Sequence, residues 1–92
     1  MDKLKKKDAS STIIFGFDWS DWLSSYNETI VGYSLSTPDN GLTLSNEVST
    51  TELITFFASG GTLGKVYPVV CQIKTSGGQT PKRTMFIRIE NL

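Results

Sequence analysis

The sequence predicts an all-β domain, an antiparallel β-sandwich. Short segments rich in β-branched and aromatic residues recur about every 8–12 residues, with turn-forming residues between them. No segment has both the length and the 3.6-residue apolar stripe of a core helix, which argues against a parallel α/β sheet. The 92 residues suffice for one domain but not for two cores.

The N-terminal residues 1–11 are polar, lysine-rich and without periodicity. We expect them to form a flexible tail, because such a segment buries too little apolar surface to offset the entropy lost on ordering. The sandwich domain would then cover residues 12–92. Alternatively, the tail orders on a partner that carries acidic groups. Its candidate partner-binding residues are Lys3, Lys5, Lys6 and Lys7.

Three strands are predicted in the first half of the domain. Residues 12–17 are β-branched or aromatic with one glycine, which favours a strand. Residues 28–36 alternate as a half-buried antiparallel strand does, with Val31 on the same face as Tyr33. Residues 42–48 predict a short strand that follows a Thr-Pro-Asp-Asn-Gly turn signal.

Between the first two strands, the sequence Asp-Trp-Ser-Asp-Trp-Leu predicts one helical or 3₁₀ turn. Trp19 and Trp22 are three residues apart, a spacing that aligns side chains on one side of such a turn. Asp18 is placed to cap the turn by accepting from the N–H groups after it. We expect one tryptophan to close the end of the sandwich and the other to be partly exposed. Trp19 is assigned a structural role, and Trp22 is a candidate partner contact.

A further strand at residues 52–58 runs into a glycine-rich turn at 59–64. A helical turn is the alternative for 52–58, because its apolar residues lie three and four apart. The strand is preferred, since the segment is short, aromatic and β-branched, and continues into Ser-Gly-Gly. Gly60, Gly61 and Thr62 are candidate partner contacts, although the need for positive φ would by itself explain the glycines.

Residues 66–74 and 84–90 predict a long β-hairpin. Apolar residues occupy alternate positions in both strands, so each strand is expected to bury one face. Tyr67 follows a glycine-containing turn, which resembles the tyrosine corner of immunoglobulin-like sandwiches, where the hydroxyl bonds to backbone a few residues upstream. The residues assigned a structural role in the hairpin are Tyr67, Cys71, Ile73, Ile87 and Ile89.

The composition disfavours several classes of function. Basic and acidic residues balance at nine each, but acidic residues predominate after residue 8, which disfavours nucleic-acid binding. There is no histidine, and the single cysteine, Cys71, lies in an apolar row, so no catalytic residue is predicted. Asp18 and Asp21 are too few for calcium, which takes about six to eight oxygens, and no metal or cofactor is expected. No apolar run approaches the roughly 20 residues of a membrane span.

Two segments resemble a family of small phage virion proteins: FDWSDWL near the start, and the stretch FFASGGTLGKVYPVVCQIKTSGGQTPKRTMFIRI. The family is similar to immunoglobulin-like domains and is described as a head–tail connector or fibre–tail adaptor. Family members often carry a tryptophan where this chain has Phe56-Phe57, and Pro68 is a second departure, tolerable on an edge strand. The matching positions are Asp18, Trp19, 59–62, Gly64, Tyr67, Ile73, Thr75, Gly78, Arg83, Ile87 and Ile89.

The resemblance implies an immunoglobulin-like antiparallel β-sandwich of about six to seven strands. It also implies a structural virion protein without catalysis, made in the host cytoplasm, which acts as a protein–protein adaptor in the tail or head–tail region. Its partners would be portal, tail-nozzle or fibre proteins, and it would be present in several copies per particle, with a monomer the expectation in isolation. The alternative is an adhesion or carbohydrate-binding module that stacks sugars on Trp19, Trp22, Tyr26 and Tyr33.

Overall fold

The computed structural model, which describes residues 3–38 and 41–91, contains seven strands and one short helix. The helix α1 (Ser20–Tyr26) lies between the second and third strands. The strands are β1 (Lys3–Asp8), β2 (Thr12–Asp18), β3 (Ile30–Ser36), β4 (Leu42–Ser49), β5 (Leu53–Gly60), β6 (Val66–Thr75) and β7 (Lys82–Glu90).

The strands form two sheets around one core. The four-stranded sheet has the order β1-β7-β6-β3, and the three-stranded sheet has the order β2-β5-β4. β1 pairs with β7 in parallel, and the other pairs are antiparallel. Alternate residues of both sheets point inward and form a single apolar cluster. The prediction of an all-β sandwich is confirmed.

β1 corrects the prediction of a flexible tail over residues 1–11. Residues 3–8 pair with β7 from Lys3 opposite Met85 to Asp8 opposite Glu90, while residues 1 and 2 lie outside the described part of the chain. The composition argument failed because joining a sheet edge uses backbone N–H and C=O groups. A lysine-rich strand can occupy such an edge, where most of its side chains still reach water.

The residues assigned a structural role from the sequence all lie in the core, each with at most 1 % of its surface exposed. They are Trp19, Tyr67, Cys71, Ile73, Ile87 and Ile89. In the opposite sheet Phe56 packs against Phe15 and Phe17, with ring centroids 6.1 and 6.0 Å apart. Phe56 thus fills the centre of the core.

A register shift between Ile30 and Gly32 changes the face pattern of β3. Ile30 is buried and Val31 is 61 % exposed, whereas Tyr33 lies opposite the buried Ile73. The bulge adds one residue to the strand, so Ile30 and Tyr33 face the same sheet surface although they differ in parity. The predicted pairing of Val31 with Tyr33 on one face is therefore wrong.

Pro68 was expected on an edge strand, but it lies in β6, which is an interior strand. β3 pairs with β6 only as far as Ser36 opposite Val70, so at Pro68 the recorded partner of β6 is β7 alone. The missing N–H of proline therefore costs no ladder hydrogen bond to β3 at this position.

Tyr67 anchors the corner between β5 and β6. Its ring is buried, and its Oη accepts a hydrogen bond of 2.8 Å from the backbone N–H of Thr62, five residues upstream. Gly41 passes so close that a Cβ there would lie 2.5 Å from Tyr67 Oη. Gly61 adopts φ +101°, and a Cβ on it would lie 2.6 Å from Ile89 Cδ1. The corner accordingly depends on one tyrosine and two close glycines.

We predict that Tyr67→Phe lowers the free energy of unfolding by about 1–3 kcal/mol, because the Thr62 N–H is left without its acceptor. Urea unfolding of both proteins measures the difference. Tyr26→Phe is the matched control: Tyr26 is 53 % exposed, and we expect a change of no more than about 0.5 kcal/mol. Equal stability of the two variants would show that the Tyr67 hydroxyl contributes nothing.

Candidate partner-binding surface

The side of the sandwich bordered by β1 and β2 carries the N-terminal lysines. β1 is at the edge of its sheet, and only β7 pairs with it among the described strands. The register divides its side chains between two faces. Lys5 and Lys7 lie opposite Ile87 and Ile89 on the inner face, whereas Leu4 lies on the outer face. The four lysines predicted as partner contacts are therefore not equivalent, and the Lys3 side chain lies outside what the structure describes.

Lys7 is buried, which corrects its assignment as a partner contact. Its Nζ donates to the backbone O of Asp8 at 2.7 Å and to the backbone O of Gly60 at 2.8 Å. Gly60 ends β5, so this one amine links β1 to the opposite sheet. Burial lowers the pKa of Lys7 below its usual 10.5, and the negative charge of Asp8 offsets part of that effect.

Lys5 lines a groove between β1, β7 and β2 with a cavity of about 130 Å³. It forms no hydrogen bond or ion pair within the described part of the chain. Arg83 lines the same groove, where its guanidinium donates to the backbone O of Asp18 at 2.8 Å and stacks over Trp19 at 4.3 Å. Two cations, Lys5 and Arg83, and one carboxylate, Asp18, therefore line the groove, and Arg83 is held in place by its contacts.

Arg83 did not emerge from the sequence as a site residue, although a signal was present. It shares its parity with Met85, Ile87 and Ile89, which alternation places on the buried face. A basic residue in such a row lies either near the end of a strand or in the interior with a partner for its charge. Arg83 lies near the start of β7, where it covers the end of the sandwich beside Trp19.

The turn after β5 holds the three other predicted contacts, Gly60, Gly61 and Thr62. Their backbone groups bond within the protein: Gly60 O accepts from Lys7, Gly61 N–H donates to Gly41 O at 2.8 Å, and Thr62 N–H donates to Tyr67. Positive φ at both glycines and these bonds explain the turn by folding alone. A role of the turn in binding stays a prediction.

The helical turn predicted around the tryptophans is α1, but its N-cap is Trp19, which makes no side-chain cap bond, and Asp18 lies one residue earlier. Asp18 Oδ1 accepts from the N–H of Ser20 at 2.9 Å, and α1 ends at Asn27 in the left-handed conformation. Trp19 is buried and contacts Trp22 edge to face, with centroids 6.2 Å apart. Trp22 is half-buried and packs on the exposed Tyr26 at 4.7 Å.

The proposed sugar-stacking set is not assembled as one platform. Trp19 is enclosed, so its faces cannot meet a ligand. Tyr33 lies on β3 and its Oη donates to Glu47 Oε1 at 3.1 Å. Only Trp22 and Tyr26 form an exposed aromatic pair, and their rings are inclined by 42° to each other.

Cys71 lies in the centre of the core and is fully buried. Burial raises the pKa of its thiol to about 11, although the indole of Trp19 and the positive charge of Arg83 oppose the rise. The thiol is therefore protonated at neutral pH, and a protonated thiol is a poor nucleophile.

No group of three or more His, Cys, Asp or Glu residues suited to a metal ion occurs within residues 3–38 and 41–91. Over the same ranges, no helix has the length and apolar character needed to cross a bilayer.

We predict that Lys7→Met lowers the free energy of unfolding by about 1–3 kcal/mol, because the carbonyl of Gly60 loses its charged donor while the apolar stem is kept. The native pKa is depressed, so the unfolded chain binds the proton more tightly than the native protein does. Wild-type stability should therefore gain as pH rises from the native pKa of Lys7 toward 10.5, and the variant should lack this gain.

Urea unfolding at neutral and alkaline pH measures both effects of Lys7→Met. Lys6→Met serves as the control, because the Lys6 side chain is 61 % exposed and its ion pair with Glu90 is long at 3.9 Å. If the two variants behave alike at both pH values, the Lys7 link between the sheets does not stabilise the fold.

We predict that Cys71 does not react with a thiol-specific disulfide reagent at pH 8 while the protein is folded, because the thiolate is scarce and the sulfur is enclosed. In urea the same thiol should react fully, since its pKa returns to its ordinary value. Rapid labelling of the native protein would contradict the buried position of Cys71.

No curated protein matches the chain significantly in sequence. Among solved structures, the chain is similar to the solution structure of the PKD domain from the KIAA 1837 protein, with a TM-score of 0.55 and 16 % sequence identity. The match covers 99 % of this chain and 83 % of that chain. At this identity the likeness concerns the fold alone, and it confirms the immunoglobulin-like class of the sandwich.

A family model described as podophage GP4 fiber-tail adaptor protein gp77 matches residues 7–88. The match runs from the end of β1 almost to the end of β7, so it includes the corner at Tyr67 and the end of the sandwich at Trp19. The resemblance drawn from the Asp-Trp segment and the C-terminal hairpin is confirmed. The chain belongs to the podophage GP4 fiber-tail adaptor protein gp77 family.

Proposed function

We propose that this protein is a structural component of a phage virion that joins other virion proteins in the tail, as an adaptor between fibre and tail. The observation that carries the proposal is the family match over residues 7–88, which spans nearly the whole sandwich. A rigid sandwich suits this task, because an adaptor must hold two partners in a fixed relation.

The proposed role is one of binding and involves no catalysis. An adaptor needs surfaces, and the chemistry of the described side chains agrees with that need. The single thiol is enclosed and its pKa is raised to about 11, while Arg83 is occupied by Asp18 and Trp19. Lys5 and the exposed Lys6, whose ion pair with Glu90 is long at 3.9 Å, lie on an edge strand.

The proposed partners are fibre and tail proteins, with the protein located in the virion. We expect several copies per particle, because tail components are arranged around a symmetric axis and each copy then presents the same surface. The β1 edge with Lys5 and Lys6 is the first candidate contact. Trp22 and the turn at 60–62 are the other candidates retained from the sequence.

Disrupting the gene in the producing phage tests this function. We expect particles that lack attached fibres, lose infectivity and regain both when the protein is supplied in trans. Mass spectrometry of purified wild-type particles should detect the protein in several copies. A normal complement of fibres on mutant particles, together with absence of the protein from wild-type particles, would overturn the proposal.

A carbohydrate-binding role is the second candidate, favoured by the exposed pair Trp22 and Tyr26. Glycan-array binding by the isolated protein, lost in Trp22→Ala with the fold intact, would support it. A blank array together with fibre loss in the gene disruption would reject it.

A further inference from the structure

β1 has the most regular free edge of the sandwich. The other edge strands are β3, β2 and β4. Register shifts interrupt β3 between Ile30 and Gly32 and β4 between Ser45 and Val48, and such bulges hinder the addition of another strand. β2 is regular but has Gly16 at its centre, which weakens strand pairing. β1 pairs without a shift over all six residues, so alternate residues direct N–H and C=O groups away from β7.

The outer face of β1 continues an apolar row. Leu4 lies opposite Phe86, and Phe86 lies opposite Pro68 on the next strand. Leu4 is 55 % exposed because nothing in the described structure covers it from the free side. A strand added beside β1 would place an apolar side chain at the open end of this row, where cross-strand contact stabilises a sheet.

The inner face of the same edge offers a cation. Lys5 lines the groove of about 130 Å³ together with Arg83, and within the described structure its ammonium has no bonded partner. Roughly 10–15 Å³ of such space suffices for one water molecule, so the groove has room for a carboxylate group. Asp18 also lines the groove, so its two cations outnumber its one carboxylate. A further carboxylate placed beside Lys5 would be partly enclosed, where an ion pair is screened less than at an open surface.

A second copy of this chain is a poor occupant of the β1 edge. Pairing one β1 with another would bring lysines close to lysines in either direction, since positions 3, 5, 6 and 7 are all lysine. Like charges facing each other across two strands destabilise the pair. If the lysines served only to prevent pairing at this edge, an exposed leucine among them would not be expected, because its apolar surface favours contact with another strand.

We propose that the β1 edge binds an extended segment of another virion protein, which adds a strand beside β1 with an acidic side chain facing Lys5 and an apolar one facing Leu4. Backbone hydrogen bonds along β1 provide the affinity, and the alternation of acidic and apolar side chains provides the specificity. This inference rests on the proposed adaptor role and specifies the chemistry of one of its partners.

The test uses an unlabelled peptide of about six residues, the length of β1, that alternates valine and glutamate. The 92-residue protein, labelled with ¹⁵N, is titrated with this peptide and with a reference peptide that has lysine in place of glutamate. We expect amide shifts centred on β1 and β7 and a Kd between about 1 μM and 1 mM. Binding should weaken as salt is added, and the lysine peptide should bind at least about tenfold more weakly.

Lys5→Glu should weaken binding of the glutamate peptide at least about tenfold, whereas Lys74→Glu should leave it unchanged. Lys74 is exposed on β6, on the β3 side of the sheet, so it makes the same charge change away from the β1 edge. Lys5→Gln, which removes the charge without reversing it, repeats the test if Lys5→Glu is poorly folded by circular dichroism.

Absence of binding at about 1 mM peptide, equal binding of both peptides, or shifts centred away from β1 would overturn the inference. Lys5 would then serve only to keep the edge unpaired. The adaptor role is judged separately: the gene disruption reports on fibre attachment whatever the peptide does. Fibre loss without peptide binding rejects the β1 proposal alone.

Discussion

The two sheets are joined at the corner where β5 turns into β6, and the rest of the structure depends on how closely the chain packs there. The carbonyl of Gly60 accepts from the buried amine of Lys7, so the first strand is tied to the opposite sheet. Gly61 packs so closely against Ile89 that a Cβ would not fit, and the N–H of Thr62 donates to Tyr67 Oη. Strands from the beginning, middle and end of the chain therefore meet within three consecutive residues, 60–62.

The sequence predicted the class of fold because alternation reports directly on burial. Tyr67, Cys71, Ile73, Ile87 and Ile89 occupy alternate positions in two long strands, and all are enclosed. The same rule failed in β3, since a bulge changes parity without leaving a mark in the order of apolar residues. Alternation also could not show that Pro68 lies in an interior strand, beyond the last residue of β6 that pairs with β3.

The candidate site was predicted less completely than the fold, because the N-terminal residues were expected to form a flexible tail, whereas residues 3–8 form β1. Composition treats lysine as a solvated charge, but Lys7 has a long apolar stem and two carbonyls to receive its amine. Parallel pairing with β7 joins residues about 80 positions apart, and no local pattern in the sequence reports such a contact. Once β1 is in place, parity separates Lys6 on the outer face from Lys5 and Lys7 on the inner face, where Lys5 lines a groove and Lys7 is buried.

The parallel pairing of β1 with β7 also has a mechanical consequence. The start of β1 and the end of β7 lie at opposite ends of the pair, since Lys3 is opposite Met85 and Asp8 is opposite Glu90. A force that pulls these two ends apart acts along the strands and loads their hydrogen bonds together, in shear. An antiparallel pair pulled from neighbouring ends would instead open one bond at a time. A domain connected this way resists traction along its length, and the buried amine of Lys7 adds a cross-link between the sheets close to the loaded end of β7.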